Sequence, residues 1–113
     1  MEILRNDIWF ADMQKTGSVQ GGLRPCYILQ NNAGNSHSPT VIIAPLTTKI
    51  KKENQPTHVK IEKNIGDLAE DSILLCEQIQ TINKKDLQNK IGHVYNLNVI
   101  NQVNGAIKIS LAL

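Results

Sequence analysis

Hydrophobic residues along the chain fall into short runs that polar and glycine-bearing segments separate. Such runs, rich in β-branched and aromatic residues, are typical of strands. Five of them have this composition: Asp7–Met13, Pro25–Gln30, Thr40–Thr47, Thr57–Ile61 and Ser72–Ile79. The third is apolar through its centre, which predicts burial on both faces and a bulge or strand edge at Pro45.

The segments between these runs predict turns and loops. Gln14–Gly22 is expected to be a long loop, Asn31–Asn35 a turn, and Lys49–Pro56 an exposed loop that is basic in its first half. Asn83–Gln88 predicts a short helix at most, and Ile91–Tyr95 predicts a last short strand.

A C-terminal amphipathic helix is predicted from Asn96, which suits the N-cap position. Apolar residues recur after it at spacings of three and four: Val99, Ile100, Val103, Ala106, Ile107 and Leu111. This stripe is expected to pack on the sheet. Many short strands with one terminal helix predict a single domain over residues 1–113, of the α+β class and mainly β, built as a small SH3-like barrel.

Composition narrows the function. The 113 residues are 41% hydrophobic with a formal charge of +2, which is too mild for a polybasic protein. No signal peptide or membrane-spanning run is evident, so a soluble cytoplasmic protein is expected. Cys26 and Cys76 lie in apolar runs and are expected to be reduced core residues. Arg5 and Arg24 are the only arginines, and hence the only candidates for bidentate phosphate binding.

The sequence contains no motif for a catalytic triad, a metal site or a nucleotide cofactor. None of His37, His58 and His93 lies in a motif with a nucleophile or a carboxylate, so a triad is not predicted. The carboxylates are scattered, and no spacing typical of metal ligands occurs, so no metal is expected. Gly21-Gly22 precedes a strand and not a helix, so no nucleotide cofactor is expected either.

Two loops retain residues suited to an extended polyanion. The first offers Ser18, Gln20, Gly21, Gly22 and Arg24, and the second offers Thr47, Thr48, Lys49, Lys51 and Lys52. Glycines let backbone N–H groups approach a ligand closely. Composition alone equally allows a tight turn, a structural arginine and a solvated lysine loop.

Several segments resemble the MazF/PemK/Kid toxins of bacterial toxin–antitoxin modules. The matching segments, in order, are Arg5–Trp9, Ser18–Pro25, Asn31–Asn35, Ser38–Thr47, Pro56–Val59, Asp71–Ile79 and Ile107–Leu111. Each motif is short, but the joint order and spacing are specific, and they cover essentially the whole chain.

The resemblance implies an SH3-like barrel, a homodimer, and metal-independent cleavage of single-stranded RNA, mostly mRNA, at a short word. It implies a MazE-type antitoxin as partner, with DNA contacted only through that antitoxin, and neither a cofactor nor a membrane. The family's catalytic arginine and threonine fall on Arg24 and Thr47. Asn6 and Val19 stand where the family often has Gly and Glu. Asn tolerates similar backbone conformations, whereas Val19 removes a carboxylate and is expected to alter base preference.

The chemistry implied is simple, because RNA supplies its own 2′-OH nucleophile. Arg24 suits the developing phosphate charge, Thr47 can hold a phosphate or leaving oxygen, and the general base stays unassigned. Expected RNA contacts are base recognition by Ser18, Gln20 and Gln78, and phosphate binding by Lys49, Lys51 and Lys52. Two alternatives stay open: a gyrase poison of the same fold, and an RNA- or partner-binding module without activity.

Overall fold

The structure, a computed structural model, describes residues 2–13, 21–49 and 55–113. In these residues the elements follow the order β1 (Asp7–Met13), β2 (Gly22–Ile28), α1 (Asn32–His37), β3 (Thr40–Thr47), β4 (His58–Ile61), β5 (Ser72–Leu75), β6 (Gln80–Asn83), β7 (Leu87–His93) and α2 (Leu97–Leu111). Single 3₁₀ turns at Ile65–Asp67 and Lys84–Asp86 precede β5 and β7. The predicted α+β fold, mainly β with a C-terminal helix, is confirmed.

All strand pairs are antiparallel, in the order β4-β5-β3-β2-β1-β7, with β6 beside β3. One edge of β3 pairs with β2, while the other changes partner along its length. That edge pairs with β6 up to Ile43 and with β5 from Leu46 onward. Pro45 lies in the interval between these two partners, where a missing N–H costs no ladder hydrogen bond on that edge.

Apolar clusters lie on both faces of the sheet, since successive side chains of a strand point to opposite sides. On one face, a cluster that includes Ile8, Tyr27, Ala44 and Leu46 packs against Val103 and its neighbours in α2; we call it the helix-side cluster. On the other face, Trp9, Cys26, Val41, Ile43 and Ile82 belong to a second cluster, called here the site-side cluster. The predicted burial of both faces of β3 is confirmed.

The C-terminal helix follows its prediction closely. Asn96 is the N-cap, and its Oδ1 accepts a hydrogen bond from Val99 N at 3.1 Å. Val99, Val103 and Ala106 are buried, and Ile100 and Ile107 pack against the helix-side cluster. Leu111 was wrongly included in the packed stripe, since it is 54% exposed at the last turn, where the sheet no longer lies beneath the helix.

Four predicted elements need correction. The predicted turn at Asn31–Asn35 is wrong, because the chain there enters the helix α1, with Asn31 as N-cap. The run Ser72–Ile79 is strand only through Leu75, and a further strand, β6, follows it. The second strand begins earlier than expected, at Gly22, and the last one covers Leu87–His93 and not Ile91–Tyr95. The sheet therefore has seven strands in the described residues, whereas the sequence predicted six.

Burial accounts for the two cysteines. Cys26 and Cys76 are free and fully buried, and burial raises the pKa of each thiol to about 12. They are therefore protonated, unreactive core residues, as predicted. No helix among the described residues has the length and apolarity to span a membrane.

Candidate active site

Arg24 and Thr47 meet where β2 begins and β3 ends. The register pairs Cys26 with Pro45 and Tyr27 with Ala44. Continued by two residues, this register sets Arg24 opposite Thr47 on the same face of the sheet, since directly opposite residues share a face. Both side chains line one cavity of about 230 Å³. The cavity walls also include Pro25, Leu46, Thr48, Lys49 and Ser72.

The Arg24 guanidinium is oriented by the backbone of its own loop. Its Nε donates a hydrogen bond to Gly21 O at 2.8 Å, and the residue is half-buried. Across the β1–β2 pair it faces Ala11, a small buried residue. Gly22, which lies between Gly21 and Arg24 in the sequence, has a φ of +80°, a left-handed conformation that favours glycine. The Gly-Gly pair therefore shapes the entry into β2 that brings Gly21 O back onto the arginine.

Thr47 is the last residue of β3 and is half-buried. Its Oγ1 accepts a hydrogen bond from Lys49 N at 3.2 Å, which turns the chain out of the strand. None of the described residues accepts the hydroxyl proton, so the group can still donate to a ligand oxygen. Thr48 and Lys49 follow on the exposed rim. The cavity thus combines a guanidinium, a hydroxyl donor and an ammonium, which is a set suited to phosphate.

Ser72, at the first position of β5, is a cavity residue that the sequence did not indicate. It is 3% exposed, and its Oγ donates a hydrogen bond to Glu70 O at 3.0 Å. The sequence shows only a serine at the start of an apolar run. Its place beside Arg24 depends on β3 pairing with both β2 and β5, which local patterns do not encode.

The other predicted binding residues are distributed as follows. Ser18, Gln20, Lys51 and Lys52 lie outside the described residues. Gly21 and Gly22 adjoin Arg24, but they do not line the cavity. Gln78 lies in the turn after β5, where its N–H donates to Leu75 O at 3.0 Å, and it is also outside the cavity lining. The structure thus brings together Arg24, Thr47, Thr48 and Lys49.

Two histidine–carboxylate pairs form between residues far apart in the sequence. His58 Nε2 lies 2.8 Å from Glu77 Oε2, and His93 Nδ1 lies 2.6 Å from Asp7 Oδ1. Asp7 is fully buried and also accepts hydrogen bonds from Leu4 N and Trp9 Nε1. Asp7 and His93 lie at the opposite end of β1 from Ala11, the residue beside Arg24. Across the described ranges, no three His, Cys, Asp or Glu side chains are grouped as metal ligands.

Comparison with known proteins identifies the family of this chain. Residues 4–111 match the family described as PemK-like, MazF-like toxin of type II toxin–antitoxin system. A Staphylococcus saprophyticus protein named Endoribonuclease MazF is 46% identical over 110 residues, covering 96% of this chain and 91% of that protein.

Solved structures resemble the whole fold. A mycobacterial endoribonuclease, in complex with its cognate antitoxin, superposes with a TM-score of 0.82 and 26% identity, over 98% of this chain and 96% of that one. The Mycobacterium tuberculosis toxin MazF-mt6 superposes with a TM-score of 0.78 and 27% identity, over 95% of this chain and 97% of that one. The resemblance seen in the sequence is thereby confirmed, and the chain belongs to the PemK-like, MazF-like family of toxins from type II toxin–antitoxin systems.

Proposed function

We propose that this toxin is a sequence-specific endoribonuclease that cleaves single-stranded RNA, chiefly mRNA, without a metal ion. The observation that carries the proposal is the meeting of Arg24 and Thr47 in one cavity at adjacent strand ends. The relative from Staphylococcus saprophyticus, named as an endoribonuclease, supports the same activity. Cleavage of mRNA stops translation and arrests growth.

The reaction is a transesterification within the RNA. The 2′-oxygen forms a bond to the adjacent phosphorus as its proton leaves to a base, and the bond from phosphorus to the 5′-oxygen breaks as that oxygen gains a proton. The products are a 2′,3′-cyclic phosphate and a 5′-hydroxyl. The main task of the enzyme is then to align these atoms and stabilise the charge on the phosphate.

Arg24 performs the electrostatic part of this task. With Nε held by Gly21 O, the guanidinium keeps a fixed plane along the cavity wall, from which it meets the phosphate oxygens. Thr47 donates a hydrogen bond from its hydroxyl to a phosphate or leaving oxygen, while its Oγ1 accepts one from Lys49 N. We leave the general base unassigned.

The rest of the RNA follows the two loops. Thr48 and Lys49, on the rim of the cavity, bind neighbouring phosphates together with Lys51 and Lys52. Ser18, Gln20 and Gln78 read base edges, which single-stranded RNA exposes. Val19 adds no carboxylate to the first loop, so base preference differs from that of relatives with Glu at this position.

We further propose that the toxin acts in the cytoplasm as a homodimer, and that a MazE-type antitoxin neutralises it. One solved relative is a mycobacterial endoribonuclease described in complex with its cognate antitoxin, which supports a partner of this kind. Contact with DNA occurs only through the antitoxin.

The test is cleavage of a long single-stranded RNA in EDTA by the purified toxin, with the fragment ends mapped. Cuts at a recurring short word that leave cyclic phosphate ends are expected, and both Arg24→Ala and Thr47→Val should suppress them. Lys108→Ala, on the exposed surface of α2, is the matched control and should cleave normally. Intact RNA with a folded wild-type protein would overturn the proposal and direct attention to DNA gyrase.

A further inference from the structure

The face of the sheet that carries Thr47 continues across two more strands. Thr47 in β3 lies directly opposite Ile73 in β5, and Ile73 lies directly opposite Lys60 in β4. Directly opposite residues of antiparallel strands point to the same face. The three side chains therefore form one row, which we call the Thr47 row. It begins at the candidate active site and ends at an ammonium group.

Exposure changes along this row. Thr47 is half-buried, Ile73 is 2% exposed, and Lys60 is exposed. Other protein atoms therefore cover Ile73, and the two polar groups reach the surface on either side of it. Neighbouring strands lie about 4.8 Å apart, so Lys60 is about 10 Å from Thr47, measured along the sheet. This separation exceeds the size of one phosphate group.

Lys60 has its charge available. Its ammonium forms no ion pair or hydrogen bond with another side chain within the described ranges. Among the carboxylates near this face, Glu77 is engaged by His58 at 2.8 Å and by the Thr57 hydroxyl at 3.4 Å, and Asp71 accepts a hydrogen bond from Lys63 N at 2.7 Å. Glu62, two residues after Lys60, is exposed. Lys60 is exposed, and its ammonium is therefore accessible to a ligand.

We propose that Lys60 binds a second phosphate of the RNA, separate from the one held by Arg24 and Thr47. The RNA then extends from the cavity towards β4, across the strands. Lys60 is a positioning residue in this arrangement, since it does not contact the reacting atoms. The inference rests on the proposed ribonuclease function and adds the direction in which the substrate leaves the cavity.

The test measures binding apart from cleavage. The probe is a short RNA that contains the mapped cleavage word, with a 2′-deoxy sugar at the cut so that it stays intact. We expect Lys60→Gln to weaken binding about fivefold and to reduce the slope of log K against log salt by about 0.7, the value for one phosphate contact on a single strand. With cleavable RNA, KM should rise by a similar factor while kcat stays constant.

Lys60→Arg should restore wild-type binding, and Lys108→Gln on α2 should leave it unchanged. A scan of single methylphosphonates, each neutralising one phosphate, locates the contact. At a single phosphate other than the one at the cut, the methylphosphonate should weaken binding by the wild type but not by Lys60→Gln. This is expected because changes to two groups in contact are not additive.

Equal affinity and equal salt slope for wild type and Lys60→Gln, in a toxin that cleaves RNA, would overturn this inference alone. A wild-type toxin that neither binds nor cleaves RNA would overturn the proposed function as well.

Discussion

Arg5 and Arg24 lie in two different regions of the molecule, and their guanidinium groups have different surroundings there. Arg5 precedes β1 and joins separate elements: Nη1 donates to Leu29 O at 2.7 Å, and Nη2 donates to Asn104 Oδ1 at 2.8 Å. Arg24 lies on the wall of a cavity, anchored through Nε to a carbonyl three residues before it.

The comparison shows how the surroundings of a charged residue decide its role. At Arg5, both terminal nitrogens are hydrogen-bonded to the protein, across the end of β2 and the helix α2, so the side chain stabilises the fold. At Arg24, Nε is hydrogen-bonded to a carbonyl of its own loop, and the residue lines a cavity together with Thr47 and Lys49. The first arrangement joins elements of the fold, and the second places a guanidinium in a cavity.

The largest expected effect comes from Arg24→Lys. This change keeps the charge but removes the planar, bidentate donor, so kcat for RNA cleavage should fall about 10³-fold. The free energy of unfolding should stay within about 0.5 kcal/mol of wild type, because the residue is half-buried at a strand end. Single-turnover cleavage and urea unfolding of the same preparation measure both. A variant that cleaves at the wild-type rate would remove the distinction between the two arginines.

The reverse result is expected for Arg5→Met. Methionine retains much of the apolar stem but leaves Leu29 O and Asn104 without their donors, so stability should fall by about 2 kcal/mol. Cleavage per folded molecule should remain at the wild-type rate. The midpoint of urea unfolding and the rate at a temperature below unfolding test this. A loss of rate larger than the loss of folded protein would mean that Arg5 also contributes to the site.

A smaller effect tests the burial of one thiol in each cluster under alkaline conditions. Burial raises the pKa of Cys26, in the site-side cluster, from an ordinary value of 9.0 to about 12. Above pH 9 the unfolded chain loses this proton while the folded protein retains it, so stability present below pH 9 is lost as the pH rises towards 12.

From pH 9 to pH 10 the loss from one such thiol is about 1 kcal/mol. Cys26→Ala should therefore lose about 1 kcal/mol less stability than wild type over this interval, in urea unfolding at each pH. Cys76→Ala, in the helix-side cluster, is the matched variant and should behave alike, since burial raises its pKa to about 12 as well. Identical pH dependence in wild type and both variants would contradict the burial of these thiols.

The elements that the sequence predicted well are those with strong local signals. The β-branched run of β3 and the capped apolar stripe of α2 have the predicted bounds within one residue. The tendency of Asn to adopt left-handed backbone was also useful, because Asn6, in place of the family's Gly, has a φ of 74°. Its Oδ1 accepts a hydrogen bond from Tyr27 OH at 2.7 Å, which a glycine lacks.

The errors occurred where distant contacts override local preference. The helix α1 consists largely of weak helix formers, but Asn35 within it is buried, and its carbonyl oxygen accepts a hydrogen bond from Lys84 Nζ, 49 residues away in the sequence. In β6 only Ile82 is buried, so no apolar run indicates a strand; pairing with β3 creates it. In the same way, the sequence identified Arg24 and Thr47 separately, while Ser72 and Lys60 gained meaning only from the strand order.

The double burial of β3 also determines which part of the molecule opens last. Backbone amides in a strand with apolar clusters on both faces exchange with solvent only when the whole domain unfolds, whereas edge strands such as β7 exchange through local fraying. Thr47 is the last residue of this strand. We therefore expect Thr47 to keep its position through local openings elsewhere in the protein, while Thr48 and Lys49, beyond the strand end, adjust to the ligand.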